Sequence, residues 1–489
     1  MDNILHIAGM IIQWIGQNLI YINMLLAIII IFFERREPRT VWAWLLVLYF
    51  IPVLGFVLYL VLGQNMHKKR MFRIKEIEDE VNSQIRSQTE EVKYEISATE
   101  SYRMKSYQEL IYYNLNTSGN VYTDDNDITI YTDGNEKFDA LISAMENAKK
   151  YIHIQYYIIR NDALFERIKE VLIRKGKEGV EVRILYDGMG CREIRKKQWR
   201  MLRSQGIETA EFFPAVLKKA HLRINYRNHR KIVVVDGEIG FVGGFNVGNE
   251  YLGLNKKFGY WRDTHIKITG SAVLALQIRF LLDWNYAANK NLFLEDRYFT
   301  QNTINKGTTG IQIISSGPDS KWATVRDDYV YLISHATDHI YIQTPYFVPD
   351  ETMLVTLKMA AASGVDVRIM IPCKPDHPFV YWATYSYIGE MLQAGAKCYT
   401  YDNGFLHTKG ICIDGKVCSY GTANFDIRSF YLNFEVNAVI FDEEVTKKFE
   451  QIFLKDIEKS TSINMYMYNN RSLWIKFKEQ FSRLLSPIL

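Results

Sequence analysis

The sequence has little cysteine, and no cysteine arrangement that is typical of a metal site or a disulfide scaffold. Only five cysteines occur among 489 residues, and two of them, Cys412 and Cys418, lie in one strand-like apolar stretch. This usage favours a reduced, cytosolic setting for the domain that carries them. A large excess of one charge is also missing, because the net charge is only +4. Charge alone therefore does not indicate a nucleic-acid-binding protein.

Charged residues are absent from two N-terminal segments. No Asp, Glu, Lys or Arg occurs in residues 3–33, and the run VWAWLLVLYFIPVLGFVLYLVLG at residues 41–63 is also uncharged. At about 1.5 Å per residue, each run can cross a hydrocarbon core of about 30 Å. No basic segment precedes the first run and a second run follows it, which argues against a cleaved signal peptide. The sequence therefore predicts a membrane hairpin of two hydrophobic helices in residues 1–65.

Several properties of this N-terminal region stay open. The amides of Gln13, Gln17, Asn18 and Asn23 in the first run would allow that run to lie partly in the membrane interface, and two buried helices of a soluble core are the alternative. Basic residues flank the second run on both sides, so the positive-inside rule barely discriminates between orientations. The free cysteines favour the cytoplasmic face for the large domain. Residues 66–118 are charged and helix-prone, which predicts an amphipathic helical connector.

The rest of the chain contains an internal duplication. The segment YIHIQYYIIRND at 151–162 matches HIYIQTPYFVPD at 339–350, and GVEVRILYD at 179–187 matches GVDVRIMIP at 364–372. Because the matching segments occur in the same order, chance recurrence of apolar strands is a poor explanation. The pattern predicts an α/β fold of two tandem, pseudo-symmetric halves in residues 119–305 and 306–489, each a mixed sheet flanked by helices.

A polar motif recurs within this duplication. The segments NHRKIVVVDGEIGFVGGFN at 228–246 and LHTKGICIDGKVCSYGTAN at 406–424 share the spacing of His, Lys, Asp, Gly and Asn. A charged strand end exposed to solvent would not be expected twice with one spacing, so the pattern indicates chemistry. The candidate catalytic residues are His229, Lys231, Asp236, His407, Lys409 and Asp414, with Asn246 and Asn424 as further phosphate-binding candidates.

The strand period separates the aspartates from the other motif residues. Side chains two apart on a strand share a face, so His229 and Lys231 point the same way. Asp236 lies seven residues after His229 and begins an Asp-Gly pair between two apolar runs, which is the signal of a tight hairpin. Asp414 has the same context. Although both aspartates belong to the motif, this geometry predicts that they shape the turn and do not touch substrate.

If the two halves pack about a pseudo-twofold axis, one pocket collects two histidines, two lysines and two asparagines. Lysine does not ligate metals and two histidines alone are a thin ligand set, so no metal or cofactor is expected. The set suits an anionic phosphodiester: the lysines and asparagines bind the phosphate oxygens, a neutral histidine attacks phosphorus, and a protonated histidine donates to the leaving oxygen. Two close histidines in a cationic pocket are expected to have their pKa values pushed apart.

Each histidine also requires a carboxylate that orients its ring. Asp263 in YWRDTH and Glu435 in NFEVN occupy equivalent places in the two halves. Both are therefore predicted to orient the histidines, and surface carboxylates on strands are the alternative.

The two motifs resemble the signature of the phospholipase D superfamily, His-x-Lys-x4-Asp twice per chain. Within that superfamily the chain is similar to bacterial cardiolipin synthases, on RREPRTVWAWLLVLYFIPVLGFVLYLVLG, GTANFDIRSF and the terminal SPIL. Thr422 stands where serine is more usual. The resemblance covers nearly the whole chain apart from the connector.

The resemblance implies transfer of a phosphatidyl group from one phosphatidylglycerol to another through a phosphatidyl-histidine, with release of glycerol and without a metal. It implies a multi-pass protein of the bacterial cell membrane whose partners are phosphatidylglycerol and other anionic lipids, with no nucleic acid and with a homo-oligomer permitted. It also implies that His229 is the nucleophile and His407 the general acid and base, although the pseudo-symmetry permits the reverse.

Other functions stay open at this point. A hydrolase that releases phosphatidic acid would use the same residues, as would a membrane-tethered nuclease, whereas a non-catalytic lipid-binding scaffold would not be expected to keep both motifs intact. The basic stretch LKKAHLRINYRNHRK at 217–231, which includes Arg230, predicts a patch for anionic headgroups or a nucleic-acid backbone. The segment LWIKFKEQFSRLL at 473–485 predicts an amphipathic helix that either lies on the bilayer or packs against its own domain.

Overall fold

The computed structural model describes residues 2–32, 38–62, 102–213, 226–288, 290, 292, 296–299 and 307–486. These residues fall into two compact units. One contains the N-terminal helices, and the other contains the duplicated part of the chain. Most of the predicted connector, residues 66–101, lies outside the described residues.

The N-terminal unit is helical, with a break in the second apolar run. Its helices are α1 (Asp2–Phe32), α2 (Pro38–Phe50) and α3 (Pro52–Leu62). The prediction of two helices is therefore wrong for the second run, because Pro52 cannot donate a backbone hydrogen bond and a new helix begins there. Among the residues that the structure describes, no helix combines the length and the apolar character that a membrane crossing requires.

One of the amides of the first run contacts this break. Asn23 Nδ2 in α1 donates to the carbonyl oxygens of Leu48 at 3.1 Å and Pro52 at 3.2 Å. The Leu48 carbonyl is four residues before Pro52, so it is the acceptor that the proline leaves without its helical partner. A polar residue in an apolar helix is thus explained by the proline in its neighbour.

The second unit contains one continuous mixed sheet that runs through both halves of the duplication. The strands of the first half are β1 (Tyr122–Tyr131), β2 (Tyr151–Tyr156), β3 (Glu181–Asp187), β4 (Glu208–Phe212), β5 (Arg227–Asn228), β6 (Ile232–Val235), β7 (Ile239–Gly243), β8 (Trp261–Arg262) and β9 (His265–Thr269). Those of the second half are β10 (Thr309–Ser316), β11 (His339–Gln343), β12 (Phe347–Val348), β13 (Asp366–Pro372), β14 (Lys397–Tyr401), β15 (Phe405–Leu406), β16 (Gly410–Ile413), β17 (Val417–Gly421), β18 (Phe425–Asp426), β19 (Asn433–Phe441) and β20 (Ser460–Ile463).

The strand order displays the duplication. The halves meet where β1 pairs antiparallel with β10. From this junction the first half runs β1-β9-β7-β6-β2-β3-β4 and the second runs β10-β19-β17-β16-β11-β13-β14, after which β20 is added at the edge. In both halves the fourth and fifth strands pair antiparallel and the outer three pair parallel. The prediction of an α/β fold built from two tandem halves with mixed sheets is confirmed.

Helices flank the sheet. In chain order they are α4 (Tyr102–Ser118), α5 (Gly134–Glu146), α6 (Ala163–Lys177), α7 (Lys196–Ser204), α8 (Ala272–Ala288), α9 (Thr324–Ser334), α10 (Glu351–Ala362), α11 (Pro378–Gln393), α12 (Ile427–Tyr431), α13 (Glu443–Ile457), α14 (Met465–Asn469) and α15 (Leu473–Leu484). Short 3-10 turns occur at Asn249–Leu252 and Asp296–Tyr298. Several helices begin at an aspartate whose carboxylate accepts a backbone N–H of the first turn, as Asp162 does for α6 and Asp442 for α13.

Helix α4 is the part of the predicted connector that the structure describes. Its residues Tyr107, Leu110 and Ile111 belong to the apolar core of the second half. Asn114 Nδ2 in the same helix donates to Gln312 Oε1 and to Asp328 Oδ1, each at 3.1 Å. Residues before the first half therefore complete the core of the second half.

Both motif aspartates form the tight turns that the strand period predicts. Asp236 and Asp414 have left-handed backbone angles, φ 56° and 54°, and the glycines that follow are left-handed as well. This is the geometry of a hairpin turn with positive φ at both central residues. The Asp236 carboxylate accepts the backbone N–H groups of Lys149, Lys150 and Tyr151 at 2.7 to 2.8 Å. The Asp414 carboxylate likewise accepts three successive backbone N–H groups at the start of β11.

This anchoring predicts that Asp236→Asn lowers the free energy of unfolding by about 2 kcal/mol, because an amide nitrogen then faces a backbone donor. Asparagine tolerates the left-handed backbone, so the turn itself is kept. Chemical denaturation of the detergent-solubilised protein measures the loss. We expect Asp414→Asn to behave in the same way, and turnover per folded molecule to be retained in both variants. A folded variant without turnover would contradict the turn-forming role.

Candidate active site

Two short parallel strand pairs join the halves at the motif histidines. Strand β5, which precedes His229, pairs with the start of β19, and strand β15, which precedes His407, pairs with β8. The backbone N–H of His229 donates to the carbonyl of Phe434 at 2.9 Å, and that of His407 donates to the carbonyl of Arg262 at 2.7 Å. In each pair the next residue on the opposite strand is a carboxylate, so the register sets a histidine of one half beside a carboxylate of the other.

The resulting histidine–carboxylate pairs are buried and cross between the halves. His229 Nδ1 lies 3.0 Å from Glu435 Oε2, and His407 Nδ1 lies 2.7 Å from Asp263 Oδ2. Both carboxylates are fully buried, whereas each histidine side chain keeps 10% exposure. The Nδ1–carboxylate contacts favour the tautomer in which Nδ1–H donates to the carboxylate and the lone pair of the neutral ring is on Nε2, although Lys409 Nζ also lies 2.6 Å from His407 Nδ1.

The motif lysines are buried beside the histidines. Lys231 Nζ donates to the carbonyl of His229 at 2.7 Å, and Lys409 Nζ donates to the carbonyl of His407. Lys409 Nζ also lies 3.8 Å from Asp263 Oδ2. Each half therefore contributes one ammonium group and one carboxylate, and the buried charges of the site compensate one another.

Gly244 explains why the motif continues with glycine. A Cβ atom at this position would lie 1.9 Å from Asp263 Oδ1. Only a residue without a side chain leaves room for the carboxylate that contacts His407. The glycine therefore serves the opposite half's histidine.

Burial controls the protonation of the site. It lowers the pKa of His229 to about 4, with the charge of Lys231 acting in the same direction and Glu435 opposing it. It also lowers the pKa of His407 to about 4, with Lys409 acting in the same direction and Asp263 opposing it. The expectation that the two pKa values diverge is not met, because desolvation dominates at both rings. Both histidines are neutral at pH 7.

The lysines and carboxylates shift in a consistent way. Burial lowers the pKa of Lys409 to about 8 and that of Lys231 well below its usual range. Although burial alone would raise the pKa of Asp263, the charge of Lys409 and the hydrogen bond to His407 hold it below its ordinary value. The pKa of Glu435 is lowered against the same burial effect, chiefly by His229. The carboxylates are thus ionised at neutral pH.

The two motif asparagines are buried but have different surroundings. Asn246 Oδ1 accepts the backbone N–H of Ile158 at 3.1 Å, and its Nδ2 donates to the Tyr251 hydroxyl at 3.2 Å. Asn424 Oδ1 is buried without a hydrogen-bond partner among the described residues. The amide of Asn246 is therefore engaged in holding its loop. Its predicted contact with phosphate stays a prediction, as does that of Asn424.

Arg230, which the sequence placed in a surface basic patch, is instead fully buried. Its Nη1 lies 2.6 Å from Asp283 Oδ1 in α8, and its Nε donates to the carbonyl of Glu435 at 3.0 Å. The prediction is wrong for this residue because Arg230, between β5 and β6, is buried against a carboxylate of its own half and does not face solvent. The patch residues before 226 lie outside the described residues. Through its hydrogen bond to the Glu435 carbonyl, Arg230 connects the segment that carries His229 to β19, which carries Glu435.

An analogous ion pair supports the other histidine. Arg262 Nε donates to Asp456 Oδ2 at 2.9 Å, and its Nη1 contacts the Thr408 hydroxyl at 3.1 Å. Arg262 precedes Asp263, and Thr408 follows His407. Each histidine–carboxylate pair is therefore flanked by a buried arginine–aspartate pair.

Sequence reasoning missed the aromatic and acidic groups that surround the histidines. The Tyr157 ring lies 4.9 Å from the His229 ring, and the Trp261 ring lies 5.1 Å from the His407 ring. The Tyr346 hydroxyl donates to Asp376 Oδ2. The negative charge of Asp376 opposes the lowering of the His407 pKa by burial. Trp261 stands two residues before Asp263 and could have been found from that spacing, whereas Tyr346 and Asp376 carry no local signal.

Comparison with known proteins supports a single family. A family profile described as "Cardiolipin synthase, PLD-like domain" matches residues 141–269 and 329–457, one copy in each half. The cardiolipin synthase of Staphylococcus aureus strain Mu50 is 52% identical over 471 residues, which cover 96% of this chain and 95% of that protein. The chain belongs to the cardiolipin synthase family.

Other relatives agree with this membership. Cardiolipin synthase 2 of Staphylococcus epidermidis strain ATCC 35984 is 49% identical over 488 residues, covering 99% of this chain and all of that protein. A second profile, "Phospholipase_D-nuclease N-terminal", matches residues 22–64. Among solved structures, the phosphatidylserine synthase of Haemophilus influenzae superposes with a TM-score of 0.61 at 15% identity, covering 80% of this chain and all of that one. That likeness shows the shared fold.

The buried ion pair of Arg230 predicts a large effect on stability. Asp283→Ala would leave the guanidinium buried without its counter-charge, which costs about 3–5 kcal/mol. Thermal unfolding of the detergent-solubilised protein measures the effect. Glu443→Ala at the exposed start of α13 serves as the control, and we expect it to change stability by less than about 0.5 kcal/mol. Equal effects of the two substitutions would contradict the role assigned to Asp283.

The lowered histidine pKa values predict a pH-dependent stability. In the unfolded chain each histidine titrates near about 6.5, whereas in the folded protein His229 titrates at about 4. Between these values the unfolded state binds more protons, so the free energy of unfolding falls as the pH drops from about 6.5 to about 4. We expect His229→Gln to flatten this dependence. Denaturation of both proteins at several pH values across the window measures it, and parallel curves would contradict the shift.

Proposed function

We propose that the chain transfers a phosphatidyl group from one phosphatidylglycerol to a second, giving cardiolipin and glycerol. The observation that carries this proposal is the pair of buried histidine–carboxylate contacts, His229 with Glu435 and His407 with Asp263, flanked by two lysines. Family membership supports the same reaction class, a phosphatidyl transfer. Two cations and two imidazoles in a low-dielectric pocket match the charge and geometry of a phosphodiester.

In the first step the neutral Nε2 of His229 attacks phosphorus. A P–N bond forms as the bond to the headgroup glycerol oxygen breaks, and His407 Nε2 donates a proton to that oxygen, so that glycerol leaves. Lys231 and Lys409 neutralise the phosphate oxygens as negative charge builds on them. Glu435 stabilises the positive charge that His229 gains on attack.

In the second step the headgroup hydroxyl of another phosphatidylglycerol replaces glycerol. His407, now neutral, takes the proton of that hydroxyl while its oxygen attacks phosphorus. The P–N bond breaks, His229 is regenerated and cardiolipin is released. Two phosphatidylglycerols thus become one cardiolipin and one glycerol, with no net change in protonation.

The electrostatic surroundings favour His229 as nucleophile and His407 as acid. His229 experiences the positive charges of both Lys231 and Lys409, which favour the neutral ring that a nucleophile requires. His407 experiences an additional carboxylate, Asp376, which favours its protonated form. The phosphodiester anion raises the pKa of a neighbouring histidine further, so substrate binding prepares the acid.

We also propose that α1 and the α2–α3 pair anchor the chain in the membrane, with the second unit on the cytoplasmic side. Charged residues are absent from residues 3–32 of α1, and the side chains of Trp42 and Tyr49 in α2 are exposed, as expected of residues that contact lipid. Resistance of the full chain to extraction by alkaline carbonate is the expected result. Complete extraction would contradict the anchor.

The products of the reaction test the proposed function. Purified full-length protein in vesicles of phosphatidylglycerol should give cardiolipin and glycerol in equal amounts, resolved by mass spectrometry. Formation of phosphatidic acid alone would instead indicate a hydrolase. Cleavage of DNA or RNA without lipid products would indicate a nuclease.

The assignment of the two histidines has its own test. We expect His229→Ala and His407→Ala each to reduce turnover by at least about a thousandfold, since each removes a group that acts in both steps. Acid-quenched wild-type protein incubated with phosphatidylglycerol labelled in its acyl chains should carry the label on His229, identified by peptide mapping. A label on His407, or one retained by His229→Ala, would reverse the assignment.

A further inference from the structure

Helix α15 is amphipathic, but its polar side faces the domain and its apolar side faces outward. Glu479 and Ser482 are the buried residues of the helix. Arg483 donates to Ser386 Oγ and to Glu390 on α11, and its guanidinium lies 4.4 Å from the centre of the Tyr387 ring. A surface helix of a globular protein normally buries its apolar stripe, so this arrangement is the reverse of the expected one.

The outward side forms a continuous aromatic surface, called here the α15 face. Its exposed residues are the adjacent Leu473 and Trp474, followed at spacings of three or four by Phe477, Phe481 and Leu484. The exposed fraction reaches 83% at Leu473 and 78% at Leu484. The Trp474 and Phe477 rings stack at 5.5 Å, and Phe379 of α11 extends the surface, with its ring 6.5 Å from that of Phe481. Contiguous exposed apolar surface of this kind marks an interaction site.

Basic groups lie at the border of this face. Lys478 Nζ lies 5.0 Å from the centre of the Trp382 ring and 5.4 Å from that of Trp474. Tryptophan and lysine together are typical of the level of lipid headgroups, where an aromatic ring meets the acyl boundary and an ammonium group meets phosphate. The chemistry of the face thus fits an anionic bilayer.

Phe379, which extends the α15 face, is close in sequence to Asp376. Phe379 is in the first turn of α11, three residues after Asp376. Asp376 accepts the Tyr346 hydroxyl, and its charge acts on His407. A bilayer that contacts Phe379 would therefore lie next to the loop that carries Asp376.

We propose that the α15 face, with Phe379, inserts into the surface of the anionic membrane that contains the substrate and holds the active site against it. The proposal rests on the proposed function only for the identity of the lipid. Insertion places the headgroup phosphates of phosphatidylglycerol at the level of Lys478, beside the loop at Asp376. The residues of the α15 face, which lie outside the N-terminal helices, thereby set the position of the active site relative to the lipid headgroups.

A local probe tests the contact with lipid. The full-length Leu473→Cys protein is labelled with a thiol-reactive nitrobenzoxadiazole and reconstituted in vesicles of equal parts phosphatidylglycerol and phosphatidylcholine. The matched control is Met359→Cys on α10, whose side chain is 64% exposed, and labelled wild-type protein gives the background from native cysteines. We expect spin-labelled lipid to quench the Leu473 probe at least about threefold more than the Met359 probe, because only the former contacts acyl chains.

Two results would overturn the proposal. A Leu473 probe that aqueous iodide quenches as strongly as the Met359 probe would show that the face stays in water. A probe that is protected from iodide but not quenched by spin-labelled lipid would show that protein covers the face. Both readouts are independent of turnover, so they stand even if the protein forms no cardiolipin.

A kinetic test separates membrane contact from chemistry. We expect the double substitution Phe477→Glu and Phe481→Glu to raise the KM for phosphatidylglycerol in vesicles on the order of tenfold, with kcat little changed, because exposed aromatic contacts with lipid are lost. In detergent micelles containing phosphatidylglycerol the variant should match the wild type. Val355→Glu on α10 is the control and should leave both parameters unchanged. An unchanged KM in the double variant would contradict the proposal.

Discussion

The parallel pairing of two very short strands across the halves is the constraint on which the site depends. Strands β5 and β15 each contain only two residues, and each is hydrogen-bonded to a strand of the opposite half that continues into a carboxylate. This register sets His229 beside Glu435 and His407 beside Asp263. Neither motif histidine has its carboxylate partner in its own half. Both halves are therefore needed to assemble the two pairs, and in the proposed mechanism one half alone would lack its orienting carboxylate.

Bringing two lysines, two histidines and two carboxylates into one buried pocket is costly unless the charges are compensated. The structure provides that compensation locally, through two lysines and two carboxylates, and again behind the site. There Arg230 pairs with Asp283, and Arg262 contacts Asp456. These arginines are adjacent in sequence to a histidine and a carboxylate of the site, so both ion pairs, of which Arg262–Asp456 crosses between the halves, help to fix the positions of the motif groups.

The fold and the placement of the motif residues could be predicted from the sequence because their signals are local and repeated. The strand period separated His229 and Lys231 from Asp236, and the Asp-Gly pair indicated the turn that the structure contains. The crossing of the pairs between halves could not be predicted, because a two-residue strand has no periodicity of its own.

The errors have equally physical causes. Arg230 resembled a surface cation because sequence does not reveal the aspartate, fifty-three residues away, that neutralises it. The hydropathy of residues 41–63 predicts one helix, because the run is apolar throughout. Pro52 within the run indicates the break that separates α2 from α3. The sequence predicts only a connector where α4 lies. Its core contacts are with the second half, which begins about two hundred residues later, and local sequence carries no signal of such contacts.

A symmetric pocket must still give its two histidines different tasks, and the asymmetry of the structure lies in the second half. There the loop before α11 carries Asp376, which accepts the Tyr346 hydroxyl and whose negative charge favours a protonated His407 ring. The corresponding helix of the first half, α7, has nine residues, whereas α11 has sixteen and carries α15 against it. The second half therefore differs from the first in two connected ways. The loop before its long helix α11 carries Asp376, and the helix α15 that packs on α11 presents the outward apolar face. In the proposed reaction the leaving glycerol and the incoming lipid both exchange their proton with His407, so the proposed contact of the α15 face with the membrane would bring the acceptor lipid to the group that activates it.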